Sequence, residues 1–199
     1  MRWIIFIAII FCSLTSSAQH DKILKAKDLK SILSLAKDNN TYQLERSIAL
    51  AFHHLYNEYR IANKLDTLQW SDILWLAGRN HNVYMLQTKD YGHIEHKKFG
   101  FFTGKMPDDR IDFVQGKSRH LTSSGEGIVG FHAEVLKPED DTAEWCLEVA
   151  REALYNWQTS PGHNETMLEK VHQFHAASFF ILDDWEIMGT HVYGVATGE

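Results

Sequence analysis

The chain has 199 residues and a formal net charge of −6 at pH 7, with 44% hydrophobic, 12% aromatic and 23% charged residues. An acidic chain without a basic cluster excludes the electrostatic footprint of a nucleic-acid-binding domain. The length suits one compact domain with a short extension. Beyond the first 20 residues no apolar run is long enough to cross a bilayer.

Residues 1–18 have the layout of a secretory signal peptide. Arg2 precedes an apolar run from Trp3 to Phe11, and small residues lead to a predicted cleavage site after Ala18. The apolar run is about half of the ~20 residues that a membrane span needs, so we favour export over an N-terminal anchor. The mature protein is therefore predicted to be secreted or periplasmic and to have no transmembrane segment.

Signal-peptide cleavage determines the expected state of the two cysteines. Cys12 leaves with the signal peptide, and Cys146 then has no partner for an internal disulfide. Since Cys146 lies in the helical pattern "AEWCLEVA", we predict a buried small hydrophobe and not a reactive thiol.

Helical patterns dominate the first half of the mature chain. Residues 19–43 alternate lysines with Leu and Ile and predict an N-terminal helical extension, and residues 44–199 are predicted to form the main domain. Apolar residues recur every three or four positions from Leu44 and predict an amphipathic helix that ends near Asn63. Ser71 is the predicted N-cap of a second helix.

The middle of the chain has a different composition. Residues 91–131 contain seven of the twelve glycines and little periodicity, which predicts a long loop-rich connection. One helical turn is expected at "PDDRIDFV", where Pro107 suits a helix start. The interspersed aromatic residues favour packing over disorder.

The last third predicts two helices and a pair of strands. One helix is expected from about Asp140 to Gln158, stopping at "TSPG", and a short one near "NETMLEKV". The β-rich runs on either side of Asp183-Asp184 predict a terminal hairpin. Helices first and strands last indicate an α+β layered domain.

Four segments occur in an order that resembles a known family: "LYNEYRIANKLDTLQW", "YGHIEH", "SSGEGIVG" and "ALYNWQTSPGHNETML". They are similar to the CAP superfamily of cysteine-rich secretory proteins, antigen 5 and pathogenesis-related 1, and most similar to its bacterial, SCP-like branch. Asn57 and Arg60 match the family's Asn-x-x-Arg. The other matches are Gly125, Glu126, Gly127 and Ile128 at Gly-Glu-Asn-Ile, and Trp157, Ser160, Pro161, Gly162 and His163 at Trp-x-x-Ser-Pro-Gly-His.

The resemblance covers roughly residues 45–197 and implies an architecture. In the family, helices on both sides of an antiparallel sheet with a terminal β-hairpin form a three-layer α-β-α sandwich. Loops surround a large central cleft. We therefore expect the glycine- and phenylalanine-rich middle segment to lie around such a cleft.

The resemblance also implies a site in that cleft, lined by two histidines and an acid. The first histidine is His93, with His96 as the alternative, and the acid is Glu126. The second is His163, which the Pro161-Gly162 turn would direct into the cleft. Eukaryotic members carry a second acid where this chain has Ser160. Glu165 could replace that acid only if the turn permits it.

Two imidazoles can bind Zn²⁺ and leave positions open for water, while a carboxylate orients a histidine or takes a proton from the water. Because catalytic zinc sites usually have three protein ligands, His93 and His163 predict weak metal binding at most. Structural roles stay open beside this: Glu126 bridging backbone amides, His163 interacting with the end of the preceding helix, and His93 as an exposed loop histidine.

Three functions therefore compete. The first is a binding module for a small hydrophobic ligand such as a lipid, a peptide or an envelope component, with aromatic residues between Phe99 and Phe113 supplying apolar contact. The second is a structural or interaction protein whose histidine–acid cluster only holds loops together. The third is a hydrolase that uses metal-bound water with Glu126 as base. Asn57, Arg60 and His81 are predicted to be structural, and the positions of His172, His175 and His191 are left open between core and surface.

Overall fold

The computed structural model describes residues 41–116, 119–133, 142–182 and 186–198. The predicted signal peptide, nearly all of the predicted extension and the turn at Asp183-Asp184 lie outside the described residues. The elements are α1 (Thr41–Ala62), β1 (Gln69–Trp70), α2 (Asp72–Thr88), α3 (Pro107–Gln115), β2 (Leu121–His132), α4 (Thr142–Thr159), α5 (Pro161–Met167), β3 (Phe174–Ile181) and β4 (Glu186–Ala196). Within these ranges no helix combines the length and hydropathy that a membrane span requires.

The four strands form one sheet in the order β1-β3-β4-β2. The terminal strands β3 and β4 are antiparallel neighbours, as the predicted hairpin requires, and β2 pairs antiparallel with β4 at the edge of the sheet. The sheet is mixed and not wholly antiparallel as expected, because the two-residue β1 runs parallel to β3. A register shift between Ser123 and Gly125 marks a bulge in β2.

Neighbouring residues of β3 identify what covers each face of the sheet. The ring of Phe179 lies 5.9 Å from that of Phe52 in α1 and 6.1 Å from that of Trp157 in α4. Ser178, which points the opposite way, accepts a hydrogen bond from Asn82 of α2. The three-layer α-β-α arrangement is therefore confirmed. We call the two sides of the sheet the α1 face and the α2 face.

The helices follow their apolar periodicity closely. α1 buries Ile48, Phe52 and Tyr56 completely and begins three residues before the predicted start. Ser71 is the N-cap of α2, and its hydroxyl accepts a hydrogen bond from the backbone N–H of Leu74 at 3.4 Å. Cys146 is fully buried, and burial raises the pKa of its thiol to about 12. The prediction that Cys146 is a buried small hydrophobe is confirmed.

Three local predictions are wrong. Residues 121–132, expected in the loop-rich segment, form the strand β2, and the single turn expected near Pro107 is the nine-residue helix α3. The Pro161-Gly162 dipeptide does not form a turn, because Pro161 is the first residue of α5. Proline is accepted there since its missing N–H would have no intrahelical partner at a first helical position. The break between the helices is at Ser160.

Candidate functional site

Glu126 lies on the α2 face of β2 and joins two cationic side chains. Its Oε1 is 3.0 Å from Nδ1 of His93, and its Oε2 is 2.6 Å from a terminal nitrogen of Arg110. The side chain of Glu126 is 3% exposed, whereas that of His93 is 51% exposed. Because a carboxylate only accepts, His93 donates its Nδ1–H. This is the arrangement in which a carboxylate orients an imidazole toward a ligand.

The charge of Glu126 is stabilised by His93 and Arg110, and Glu126 in turn stabilises the protonated form of His93. Burial acts to raise the pKa of Glu126, but the hydrogen bond from His93 and the charge of Arg110 outweigh it, so the pKa is lowered. The pKa of His93 is raised, chiefly by its hydrogen bond to Glu126. A carboxylate with a lowered pKa is a weak proton acceptor at neutral pH, which argues against Glu126 as a general base.

His163 approaches the same strand from the α1 face. It lies in the first turn of α5, and a Cβ built on Gly127 would be 3.4 Å from its Cδ2. Burial is the larger cause that lowers the pKa of His163, and the charge of His93 is the other. His93 therefore acts electrostatically on His163, although the two residues approach β2 from opposite faces.

The alternative site residues lie elsewhere. His96 is 53% exposed, and the carboxylate near its ring is that of Asp90, at 3.9 Å. Glu165 is exposed on α5, and Ser160 is the N-cap of that helix without a side-chain capping bond. Among the described residues no group of three or more His, Cys, Asp or Glu is placed to hold a metal ion.

Arg110 and Glu95 complete the polar cluster, and no sequence pattern marked either of them. Arg110 is buried and also donates to the backbone oxygen of His93 at 3.2 Å. Glu95, with no exposed side-chain surface, accepts hydrogen bonds from Nδ1 of His81 at 2.9 Å and from the backbone N–H of Thr103 at 2.7 Å. A charged residue in a glycine-rich segment is ordinarily exposed, so their burial depends on partners that the fold supplies.

Asn57 and Arg60 contact backbone groups. Asn57 bonds both the N–H of Leu68, at 2.8 Å, and its carbonyl, at 3.0 Å. Arg60 donates to the carbonyl oxygens of Asp66 at 2.9 Å and Met167 at 2.7 Å. These bonds hold α1 to the loop before β1 and to the end of α5.

A second cluster of histidines crosses the α1 face and was not predicted. His53 Nδ1 lies 2.7 Å from His175 Nε2, His175 Nδ1 lies 2.9 Å from His191 Nε2, and His191 Nδ1 lies 2.8 Å from the Tyr193 hydroxyl. We call these four residues the histidine chain. His175 and His191 have no exposed surface. Burial lowers the pKa of His53 to about 4 and the pKa values of His175 and His191 well below the ordinary value of 6.5.

No protein-family model and no curated protein sequence matches the chain. Two solved structures share its fold. An outer surface protein of Borrelia burgdorferi is 13% identical, covers 73% of this chain and 90% of its own, and superposes with a TM-score of 0.53. An extracellular protein of Bacillus anthracis that contains an SCP domain is 18% identical and also has a TM-score of 0.53, with 76% of this chain matched to 42% of the longer Bacillus chain. The CAP-type fold implied by the sequence motifs is thereby confirmed.

Proposed function

We propose that the protein is an extracytoplasmic CAP-type module that binds an amphiphilic ligand, with an apolar chain and an acidic head, beside His93. The exposed apolar side chains of the segment that contains His93, and of α3 after it, are the observation that carries this proposal. The segment before α3 and α3 itself expose five large apolar side chains: Tyr91 60%, Ile94 43%, Phe101 59%, Met106 45% and Phe113 61%. Such a concentration on one segment is typical of an interaction site.

The polar end of the ligand would lie at His93. Its raised pKa favours the protonated ring, which donates a hydrogen bond to an anionic group. The extracytoplasmic location is supported by the signal-like N-terminus and by the two structural neighbours, one an outer surface protein and the other extracellular. A peptide or another envelope component with the same chemistry would use the same surface.

Binding of a fluorescent long-chain fatty acid tests the apolar part of this site. Phe113→Ser is expected to weaken binding about tenfold, because an exposed ring that covers the ligand loses its contact area. Tyr155→Ser is the matched control, since Tyr155 is 60% exposed on α4, and it should bind like the wild type. Equal losses in both variants, or no binding by the wild type, would contradict the proposal.

We further propose that His93 and His163, in their neutral forms, bind Zn²⁺ weakly around the edge strand β2, so that zinc and an acidic head compete for His93. Zinc should raise the melting temperature of the wild type, and His93→Ala and His163→Ala should each abolish the rise. Glu126→Gln is expected to weaken zinc binding by about 10- to 100-fold, because it removes the acceptor that orients His93. The exposed His120→Ala is the control and should respond like the wild type. A wild-type melting temperature that zinc leaves unchanged would exclude the site.

A structural role of the cluster is the second candidate. Both carboxylate oxygens of Glu126 are occupied, and through Arg110 they join β2 to α3. If Glu126→Gln unfolds the domain and does not merely weaken zinc binding, this role is favoured. The metal-water hydrolase ranks last, because Glu126 has a lowered pKa.

A further inference from the structure

Ser124 and His172 form a hydrogen-bonded pair outside the site of His93 and Glu126. The hydroxyl oxygen of Ser124 lies 2.7 Å from Nδ1 of His172. The ring of His172 stacks on that of Tyr193 with 4.4 Å between centroids, which places the pair on the α1 face. Ser124 is at the bulge of the edge strand β2, where its side chain is partly exposed.

The second nitrogen of His172 fixes the direction of this hydrogen bond. Nε2 lies 2.7 Å from the backbone oxygen of Thr166, and a carbonyl oxygen can only accept. Nε2 therefore carries the proton, and in the neutral ring Nδ1 offers a lone pair to the hydroxyl of Ser124. Burial is the main cause that lowers the pKa of His172, which keeps the ring neutral at neutral pH.

These contacts have the geometry of an activated nucleophile. A hydroxyl within about 2.6–3.2 Å of a base, with the base oriented by a third group, is the pattern of nucleophilic catalysis by serine. The third group here is the Thr166 carbonyl. The groups next to this strand position are the Thr166 methyl group and the Tyr193 ring, which would lie 2.9 Å and 3.3 Å from a Cβ on the adjacent Gly125.

We propose that Ser124 and His172 act as nucleophile and base in the hydrolysis of a short-chain carboxylic ester. Neither residue belongs to the proposed ligand or zinc site, so the proposal goes beyond that function and does not depend on it. The Thr166 methyl group and the Tyr193 ring beside Gly125 favour a small acyl group.

The proposed reaction has two balanced steps. His172 Nδ1 takes the hydroxyl proton as Oγ of Ser124 bonds to the ester carbonyl carbon. The bond from that carbon to the alcohol oxygen then breaks, and the alcohol leaves with the proton from Nδ1. In the second step water attacks the acyl-Ser124 ester, His172 takes the proton of the water, and Ser124 regains it as the carboxylic acid leaves. The bond from Nε2 to Thr166 is kept throughout.

Labelling with diisopropyl fluorophosphate tests the nucleophile. The intact mass of the wild type should increase by one adduct, and peptide mapping should place the adduct on Ser124. Turnover of p-nitrophenyl acetate is expected to fall about 100-fold or more in Ser124→Ala, with loss of the adduct. Ser123→Ala is the matched control, because it removes the neighbouring hydroxyl and should keep both the adduct and the turnover.

His172→Gln tests the base and is expected to slow labelling and turnover about 100-fold, provided that circular dichroism shows a folded protein. If that variant does not fold, the comparison of Ser124→Ala with Ser123→Ala decides alone. The proposal is overturned by a wild type that gains no adduct, by an adduct that persists in Ser124→Ala, or by an adduct on Ser124 without ester turnover. None of these results bears on fatty-acid or zinc binding.

Discussion

Lowering the pH from 7 to 5 is expected to reduce the free energy of unfolding steeply, because the histidine chain is buried in its neutral form. His53 has a folded pKa of about 4, and those of His175 and His191 are well below 6.5. Below pH 6.5 the unfolded chain takes up protons at these three rings and the folded protein does not. Each ring then costs about 1.4 kcal/mol of stability per pH unit, or about 4 kcal/mol per pH unit for the three.

The pH range of this loss follows from the direction of the shifts. Stability from the histidine chain is fully present above the unfolded value of 6.5 and is lost as the pH falls, down to about 4 for His53. His163 and His172 also have lowered pKa values and add to the loss. The raised pKa of His93 acts in the opposite direction but accounts for a single proton. Typical domains are stable by 5–15 kcal/mol, so unfolding is expected near pH 5.

Urea unfolding at half-unit steps between pH 7.5 and 5 measures this slope. His175→Gln should lower the slope by about 1.4 kcal/mol per pH unit, since one titrating ring is removed. His120→Gln, at an exposed histidine, should keep the wild-type slope. The prediction would be contradicted by a free energy of unfolding that does not change from pH 7 to 5, or by a His175→Gln slope equal to that of the wild type. Either result would show that the histidine chain is not held in its neutral form.

Gly104→Ala is expected to cost at least about 3 kcal/mol, at the upper end of overpacking effects. A Cβ at this position would lie 2.5 Å from the backbone carbon of Asp109 and 2.6 Å from the backbone nitrogen of Arg110. Backbone atoms cannot rotate away as a side chain can, so the start of α3 must move. That movement carries Arg110 away from Glu126 and leaves this buried carboxylate with His93 as its remaining partner, which is destabilising.

Denaturant unfolding of Gly104→Ala and Gly100→Ala measures this effect. Gly100 lies in the same segment, but no atom comes within 4 Å of a Cβ built there. The Gly100 variant should therefore stay within about 0.5 kcal/mol of the wild type. Similar free energies of unfolding for the two variants would contradict the prediction, because they would mean that the start of α3 moves without loss of stability.

The long helices could be predicted because their apolar periodicity is sustained over several turns. α1, α2 and α4 all bury the stripe that the sequence indicates, and Ser71 is a local signal that does not depend on tertiary contacts. The strand β2 was missed because Gly125 and Gly127 occupy positions on its α1 face. Apolar side chains at these positions would have given the alternating pattern that identifies a strand. A Cβ at Gly127 would approach the Trp157 indole nitrogen to 3.2 Å, a tight contact that glycine avoids. The start of α5 was missed because Pro161 permits either a break or a helix start.

The site could be predicted only in the part that family motifs mark. The resemblance named His93, Glu126 and His163, and the structure places the first two in hydrogen-bond contact. Arg110 could not be foreseen, because a buried charge is recognised by its partners and these are distant along the chain. The histidine chain is a stronger example: His53 and His175 are 122 residues apart, and no local pattern relates them.

Glu95 orders the segment that would contact the proposed ligand. Its carboxylate fastens the segment between His93 and α3, through Thr103, Gly104 and His81, before anything binds. If this segment became ordered only on binding, the loss of its conformational entropy would offset much of the free energy gained from its side-chain contacts. Folding has already imposed that order, so the proposed ligand would meet a preorganised surface. Less of the free energy of its contacts with Phe101 and Met106 would then be lost in ordering the segment.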